Sequence, residues 1–232
     1  VTVGSLFSGI GGIDLALERA GMSVAWQVEN DPYCQRVLAK HWPAVRRYRD
    51  VRELTGYELE SVDLIAGGFP CQPVSVAGKR LAQADTRWLW PEFIRLIRVV
   101  RPRYVFVENV PGLLVRGMGD VLGDLAASGY DAEWDCIPAA AVGAHHRRNR
   151  VWIVAYTATK RLEGRLFSEA SRNSLAQFAS ESGRWPVEPD VGRVAHGVSA
   201  RVDRLKGLGN ACVPQVVEWI GRMILAFDKA SG

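Results

Sequence analysis

Five stretches of the chain, at 1–7 (VTVGSLF), 24–29 (VAWQVE), 62–66 (VDLIA), 104–109 (YVFVEN) and 151–156 (VWIVAY), are short and close to continuously apolar. They are rich in β-branched residues and do not alternate with polar ones, which predicts strands buried on both faces. Helical periods lie between them. IDLALERAG ends on Gly21, DPYCQRVLAKHW offers Asp31 as N-cap with Pro32 in the first turn, and WPEFIRLIRVVRP is stopped by Pro102. The apolar stripe of VPQVVEWIGRMILAF predicts a last, amphipathic helix. Alternation of strand and helix predicts an α/β fold with a doubly wound, mostly parallel sheet. In such sheets ligands bind outside the carboxyl ends of the strands, so every unusual loop is expected at that edge.

The segment from Thr157 to about Ala200 breaks this rhythm, being rich in Ser, Arg, Glu and Ala without a long apolar run. Its composition predicts a small irregular subdomain or a mobile insertion. With 232 residues, 48% of them hydrophobic, the chain has enough apolar content for one core. No apolar run approaches the roughly 18 residues of a membrane helix, and the first residues do not read as a secretory signal, so a cytoplasmic protein with no membrane association is expected. The cysteines at 34, 71, 136 and 212 form no C-x-x-C pair and have no histidines at zinc spacing, so neither a disulfide framework nor a metal site is indicated. A net charge of +4 only weakly favours a polyanionic partner.

The loops at the predicted ligand edge carry the chemistry. SLFSGIGG places Gly9, Gly11 and Gly12 in a strand-to-helix turn where a backbone can approach a ligand, although a tight turn alone would use the same residues. The second strand ends in VEND, with Glu29 twenty residues after Gly9, the distance at which such folds hold a ribose. Asp50 follows as a candidate for an adenine amino group, and together they suggest an adenosyl cofactor. The plainer alternative makes these two acids a helix cap and a surface charge. GGFPCQPVSVAGKR puts Cys71 in a loop stiffened by Pro70 and Pro73 directly behind a buried strand. A buried cysteine is ordinarily an inert small hydrophobe, whereas one at a ligand edge is a candidate nucleophile. Glu108 emerges from the apolar run YVFVEN, as a proton donor with a raised pKa or as the partner of a nearby arginine. If the strand after GAHHRRNR runs antiparallel, Arg147, Arg148 and Arg150 face the same cleft; otherwise they are a solvated charge run.

In order along the chain, FSGIGG, VEND, GGFPCQPVSVAGKR, ENV, RRNR before a strand, and GLGNACVPQVVEWIG resemble the motifs of DNA (cytosine-5) methyltransferases, most of all the compact enzymes of phages and prophages. The resemblance implies a Rossmann-like methyltransferase domain over 1–156. It further implies a reduced target-recognition segment over 157–200, and a C-terminal motif and helix over 201–232 that packs back on the first. It implies S-adenosylmethionine as cofactor and double-stranded DNA as partner, with no obligatory protein partner. Cys71 would add to carbon 6 of a flipped-out cytosine so that carbon 5 takes the methyl group. Glu108 would hold the exocyclic amine and ring nitrogen 3, Arg150 the carbonyl oxygen, and Arg148 the loop or a backbone phosphate. Phe7, Gly9, Gly11 and Gly12 would line the methionine portion, Glu29 the ribose, Asp50 with Val51 the adenine. Phe69 would also contribute to the cofactor site, and Asn210 would close it from the C-terminal side.

Ser75, Lys79 and Arg80 belong to a loop expected to close over the base. Arg161, Arg165, Arg172, Arg184 and Arg193 are expected to supply mostly phosphate contacts. Val74 stands where the family commonly has an aromatic, His146 where glutamine is common, and Cys212 in place of an aliphatic residue. Two other readings keep the same motifs: a tRNA cytosine-5 methyltransferase, and a catalytically silent DNA-binding homologue.

Overall fold

Along β5 (Tyr104–Asn109) successive side chains go to opposite faces, and both faces are buried. Tyr104 and Phe106 join the core beneath α1 (Gly12–Ala20) and α8 (Pro214–Ala230), while Val105 and Val107 join the core beneath α3 (Trp90–Val100) and α5 (Met118–Ala127). This two-sided burial explains why the strand reads as continuously apolar. The computed structural model describes residues 1–70, 88–157, 166–181 and 201–230.

Seven strands form one sheet in the order β3-β2-β1-β4-β5-β7-β6. β1 (Thr2–Leu6), β2 (Ser23–Val28), β3 (Arg46–Tyr48), β4 (Leu64–Gly67) and β5 are parallel. β7 (Asn149–Thr157) runs antiparallel between β5 and β6 (Tyr130–Pro138), pairing Glu108 with Trp152 and Asn109 with Val151. The amino end of β7 therefore meets the carboxyl end of β5, which settles the orientation on which the RRNR reading depended. The predicted helices are present, with α1 closed on Gly21 and α2 (Pro32–His41) capped by the Asp31 carboxylate on the Tyr33 and Cys34 amides.

Among the described residues, β3, β6, α4 (Leu113–Arg116), α5 and the helix Arg201–Asn210 were not apparent from apolar pattern. β3 is three residues long and polar, and β6 is an edge strand whose Asp131, Glu133 and Asp135 interrupt any apolar run. The 157–200 segment also differs in part from expectation. Its residues Glu169–Glu181 form helix α6, which docks Leu175 and Phe178 on the core beside α8, with Trp219 Nε1 donating to Ser174 Oγ at 3.1 Å. Two apolar side chains three residues apart suffice to seat one helical turn, a signal too sparse to read as a helix beforehand. Arg172 is on this helix and pairs with Asp135, whereas Arg161, Arg165, Arg184 and Arg193 lie outside the described residues. Among the described residues no helix is long and apolar enough to cross a membrane.

Candidate active site

The carboxyl ends of β1, β2, β4 and β5 surround a cavity of about 560 Å³, which α7 (Arg201–Asn210) and the turn behind it wall on the far side. That volume is in the range of small-molecule sites. Its floor is the turn after β1. Gly9, at φ +56°, has open space where a Cβ would stand, whereas a Cβ on Gly11 would lie 2.4 Å from the Trp42 ring. Gly9 thus faces the cavity, and Gly11 serves the packing of the turn and is not part of the wall. Gly12 does reach the wall, opposite Cys212.

Glu29 stands at the centre. Its Oε2 accepts from the Gly9 amide at 2.7 Å and its Oε1 from the Asp31 amide at 2.8 Å, so one carboxylate ties the glycine turn to the start of α2. Asp31 also faces the cavity, and a hydrogen bond from Lys206 holds its carboxyl below the usual carboxylate range. Asp50 and Val51 are elsewhere. Asp50 caps the short 3-10 turn Val51–Glu53 and pairs with Arg52, which lowers its pKa; Val51 is buried, and neither lines the cavity.

Under the glycine turn lies a network that motif reading did not find. Asp14 is fully buried on α1, accepting from Gln27 Nε2 at 2.8 Å and from Ser5 Oγ at 3.0 Å, while Ser5 Oγ lies 2.9 Å from Ser8 Oγ. Desolvation pushes its carboxyl up to about 6 despite these bonds. The available signal was an acid inside the buried stripe Ile13, Asp14, Ala16, Leu17.

The opposite wall carries Glu108 and Arg150. Their ion pair, Arg150 Nε to Glu108 Oε1 at 2.9 Å, leaves the two side chains 18% and 14% exposed, so a charged pair is held largely out of water. Burial raises the Glu108 pKa, opposed by Arg150 and then Arg148. The pair fits both readings of Glu108 made from sequence, since the arginine that accompanies it is itself in the cleft. Gly68, in the loop that leads to Cys71, packs against this pair: a Cβ there would stand 2.8 Å from Glu108 Oε2. Phe69 is buried among Trp88, Trp90 and Phe93 and lines the cavity, and its carbonyl accepts from Asn109 Nδ2 at 3.2 Å. That bond sets the path of the chain into Pro70, also on the wall. Cys71, Ser75, Lys79 and Arg80 lie outside the described residues.

Arg148 does not reach into the cavity with Arg150. Its Nη2 donates to the carbonyls of Gly209 at 2.8 Å and Ala211 at 2.5 Å. Arg147 is exposed, and its carbonyl accepts from the Ala139 amide. Asn210 and Cys212 both line the cavity, and burial pushes the Cys212 thiol pKa far up. Among the described residues no group of three His, Cys, Asp or Glu side chains is placed to hold a metal ion.

The model of the family described as C-5 cytosine-specific DNA methylase matches residues 1–207. The type II methyltransferase M.NgoMIV of Neisseria gonorrhoeae is 39% identical over 155 residues, 64% of this chain and 49% of that protein. The type II methyltransferase M.AquIA of Picosynechococcus is 34% identical over 172 residues, 65% of this chain and 69% of that protein. A crystal structure described as a prophage-encoded DNA modification methyltransferase from E. coli superposes with a TM-score of 0.60 at 26% identity, covering 71% of this chain and 49% of the other. The chain spans about half the length, or less, of most curated relatives it matches. With a family match over most of its length and a doubly wound sheet whose last pair is antiparallel, the chain belongs to the C-5 cytosine-specific DNA methylase family.

Proposed function

We propose that this protein transfers a methyl group from S-adenosylmethionine to carbon 5 of cytosine in double-stranded DNA, through a covalent adduct of Cys71 with a flipped-out base. One observation carries the reading: a single cavity joins an acid-anchored glycine turn to a buried Glu108–Arg150 pair, and its wall runs to Pro70, the residue before Cys71. The walls suit the cofactor in chemistry. The open face of Gly9 admits the methionine chain, the Glu29 and Asp31 carboxylates suit ribose hydroxyls beside a cationic sulfonium, and Phe7 and Phe69 add apolar surface. When bound, the cofactor supplies an electrophilic methyl group. Asp50 and Val51, expected at the adenine, do not line this cavity.

The base chemistry falls to three residues. The Cys71 thiolate adds to carbon 6 and makes carbon 5 nucleophilic; after methyl transfer, loss of the carbon 5 proton and of the thiolate restores the ring. Glu108, with its pKa raised by burial, holds a proton toward ring nitrogen 3 and accepts from the exocyclic amine. Arg150 keeps that carboxyl in place and offers its remaining N–H donors to the carbonyl oxygen, where charge develops.

The test is trapping on duplex DNA carrying 5-fluorocytosine, where fluorine blocks the final elimination. The wild-type protein with S-adenosylmethionine forms a complex that survives denaturing electrophoresis, and Cys71→Ala does not. A Cys71→Ala protein that still traps DNA refutes the assignment of the nucleophile. A wild type that methylates tRNA but not DNA refutes the substrate.

A further inference from the structure

Resting on the cofactor reading above, we propose that α7 and the turn through Cys212 form a strap across the cavity, pinned by Arg148 at its C-terminal end and by Lys206 at its middle. These two positioning residues would set how long the cofactor stays bound, and neither would act on the base or on DNA phosphate.

The first pin is a helix cap. The last carbonyls of a helix have no partner within it, and a guanidinium at that end satisfies them and complements the helix dipole. α7 ends at Asn210, and Arg148 Nη2 takes the carbonyls on either side of it, Gly209 and Ala211. The Arg148 Nε is buried without a hydrogen-bond partner, and its backbone sits at φ +26°, a conformation side chains seldom adopt. A guanidinium half-buried and engaged with two carbonyls in this way is committed to the strap. The arginine two positions on, Arg150, is the one that meets Glu108.

The second pin crosses the cavity mouth. Lys206 Nζ meets Asp31 Oδ2 at 2.8 Å, with the lysine side chain 62% exposed, which joins mid-α7 to the start of α2. The strap also lies against the glycine turn: a Cβ on Gly207 would stand 3.0 Å from Ile10 Cγ2, and one on Gly12 would stand 3.0 Å from Cys212 Sγ. Asp31, Lys206, Gly207, Asn210 and Cys212 all line the cavity, so a ligand filling it touches the strap, and its release would be coupled to movement of the strap. The pins differ in strength. The exposed ion pair is weak and salt-sensitive, and the half-buried arginine cap is the stronger.

The experiment measures S-adenosylmethionine dissociation by stopped flow together with hydrogen exchange of residues 203–212 in the cofactor-free protein. For Arg148→Met, dissociation is expected to quicken by about ten- to a hundredfold, and exchange to rise in the strap but not in β5 or α1. In turnover, KM for the cofactor should rise far more than kcat falls. Lys206→Met should quicken dissociation by at most about fivefold, and added salt should reproduce that change in the wild type only. Faster exchange throughout the sheet would make Arg148 a general structural residue and overturn the proposal. So would loss of 5-fluorocytosine trapping by Arg148→Met at saturating cofactor, which would place it at the base. A wild type that binds no S-adenosylmethionine overturns the proposed function and the strap with it; one that binds it but releases it as fast as Arg148→Met overturns the strap alone.

Discussion

Changing Glu29 to glutamine is the sharpest test of how the glycine turn is built. Both carboxylate oxygens accept from main-chain amides, at 2.7 Å from Gly9 and 2.8 Å from Asp31. Glutamine is nearly the same shape but has one acceptor oxygen, so its amide NH₂ must point at one of these two N–H groups. One charge-assisted bond is lost, worth about 1.5 to 3 kcal/mol, and a donor is set against a donor in its place. The turn then has to be ordered when cofactor binds, and that cost appears in the affinity as about a ten- to hundredfold weaker Kd. Titration calorimetry with S-adenosylmethionine measures it, and a urea melt of the cofactor-free protein reads the same loss as a fall in stability. Asp50→Asn is the control, because its ion pair with Arg52 lies outside the cavity. If Glu29→Gln binds as the wild type does, or Asp50→Asn weakens binding equally, the role derived for the Glu29 carboxylate is wrong.

Gly68→Ala should lower the rate of methyl transfer by at least tenfold with little change in cofactor affinity, because the new Cβ would stand 2.8 Å from Glu108 Oε2 and displace it from Arg150; single-turnover kinetics beside calorimetry separates the two effects. Asp14→Asn should stabilise the fold above pH 7. Its folded pKa of about 6 lies above the ordinary 3.8, so the wild type binds more protons folded than unfolded and loses up to about 3 kcal/mol as pH rises from about 4 to 6. Asparagine removes that slope, so urea melts at pH 4 and pH 8 should then agree more closely. Arg150→Met should cost about 3 to 5 kcal/mol at pH 8 by leaving the buried Glu108 unpaired. The cost should fade as pH drops and Glu108 takes up a proton, and the further change Glu108→Gln should recover most of it at pH 8.

How much of this was legible in the sequence follows from where the constraint lies. β1, β2, β4, β5 and β7 are buried on two faces, so composition alone announces them. β6 has an exposed edge and carries acids on one side, and its strand character comes from pairing with β7 along nine registers, which no local pattern records. The site residues divide in the same way. Glu108 and Arg150 were legible because polar groups next to buried strands stand out. The targets of Arg148 were not, because the carbonyls of Gly209 and Ala211 are main-chain groups more than 60 positions away and any residue would present them. Lys206 looks like any solvent-exposed lysine until α7 is placed over α2.

Among the described residues, three other than glycine hold positive φ: Phe7, Arg101 and Arg148. Arg101 follows α3 as its C-cap, a place where left-handed backbone is common, and it does not line the cavity. The other two flank the ligand edge, one just after β1 and one just before β7. At Phe7 the turn sends the ring toward Phe93, with centroids 6.1 Å apart, and the next residues fold back under Val28 through Ser8 N–H. At Arg148 the turn sends a guanidinium to the C-terminal strap while Arg150 goes to Glu108. A relaxed extended chain puts residues two apart on the same side, and the left-handed backbone at Arg148 turns its side chain away from the course of Arg150. The unfavourable backbone at Arg148 is therefore what lets one short segment serve two walls of the cavity, and neighbouring contacts must hold it there.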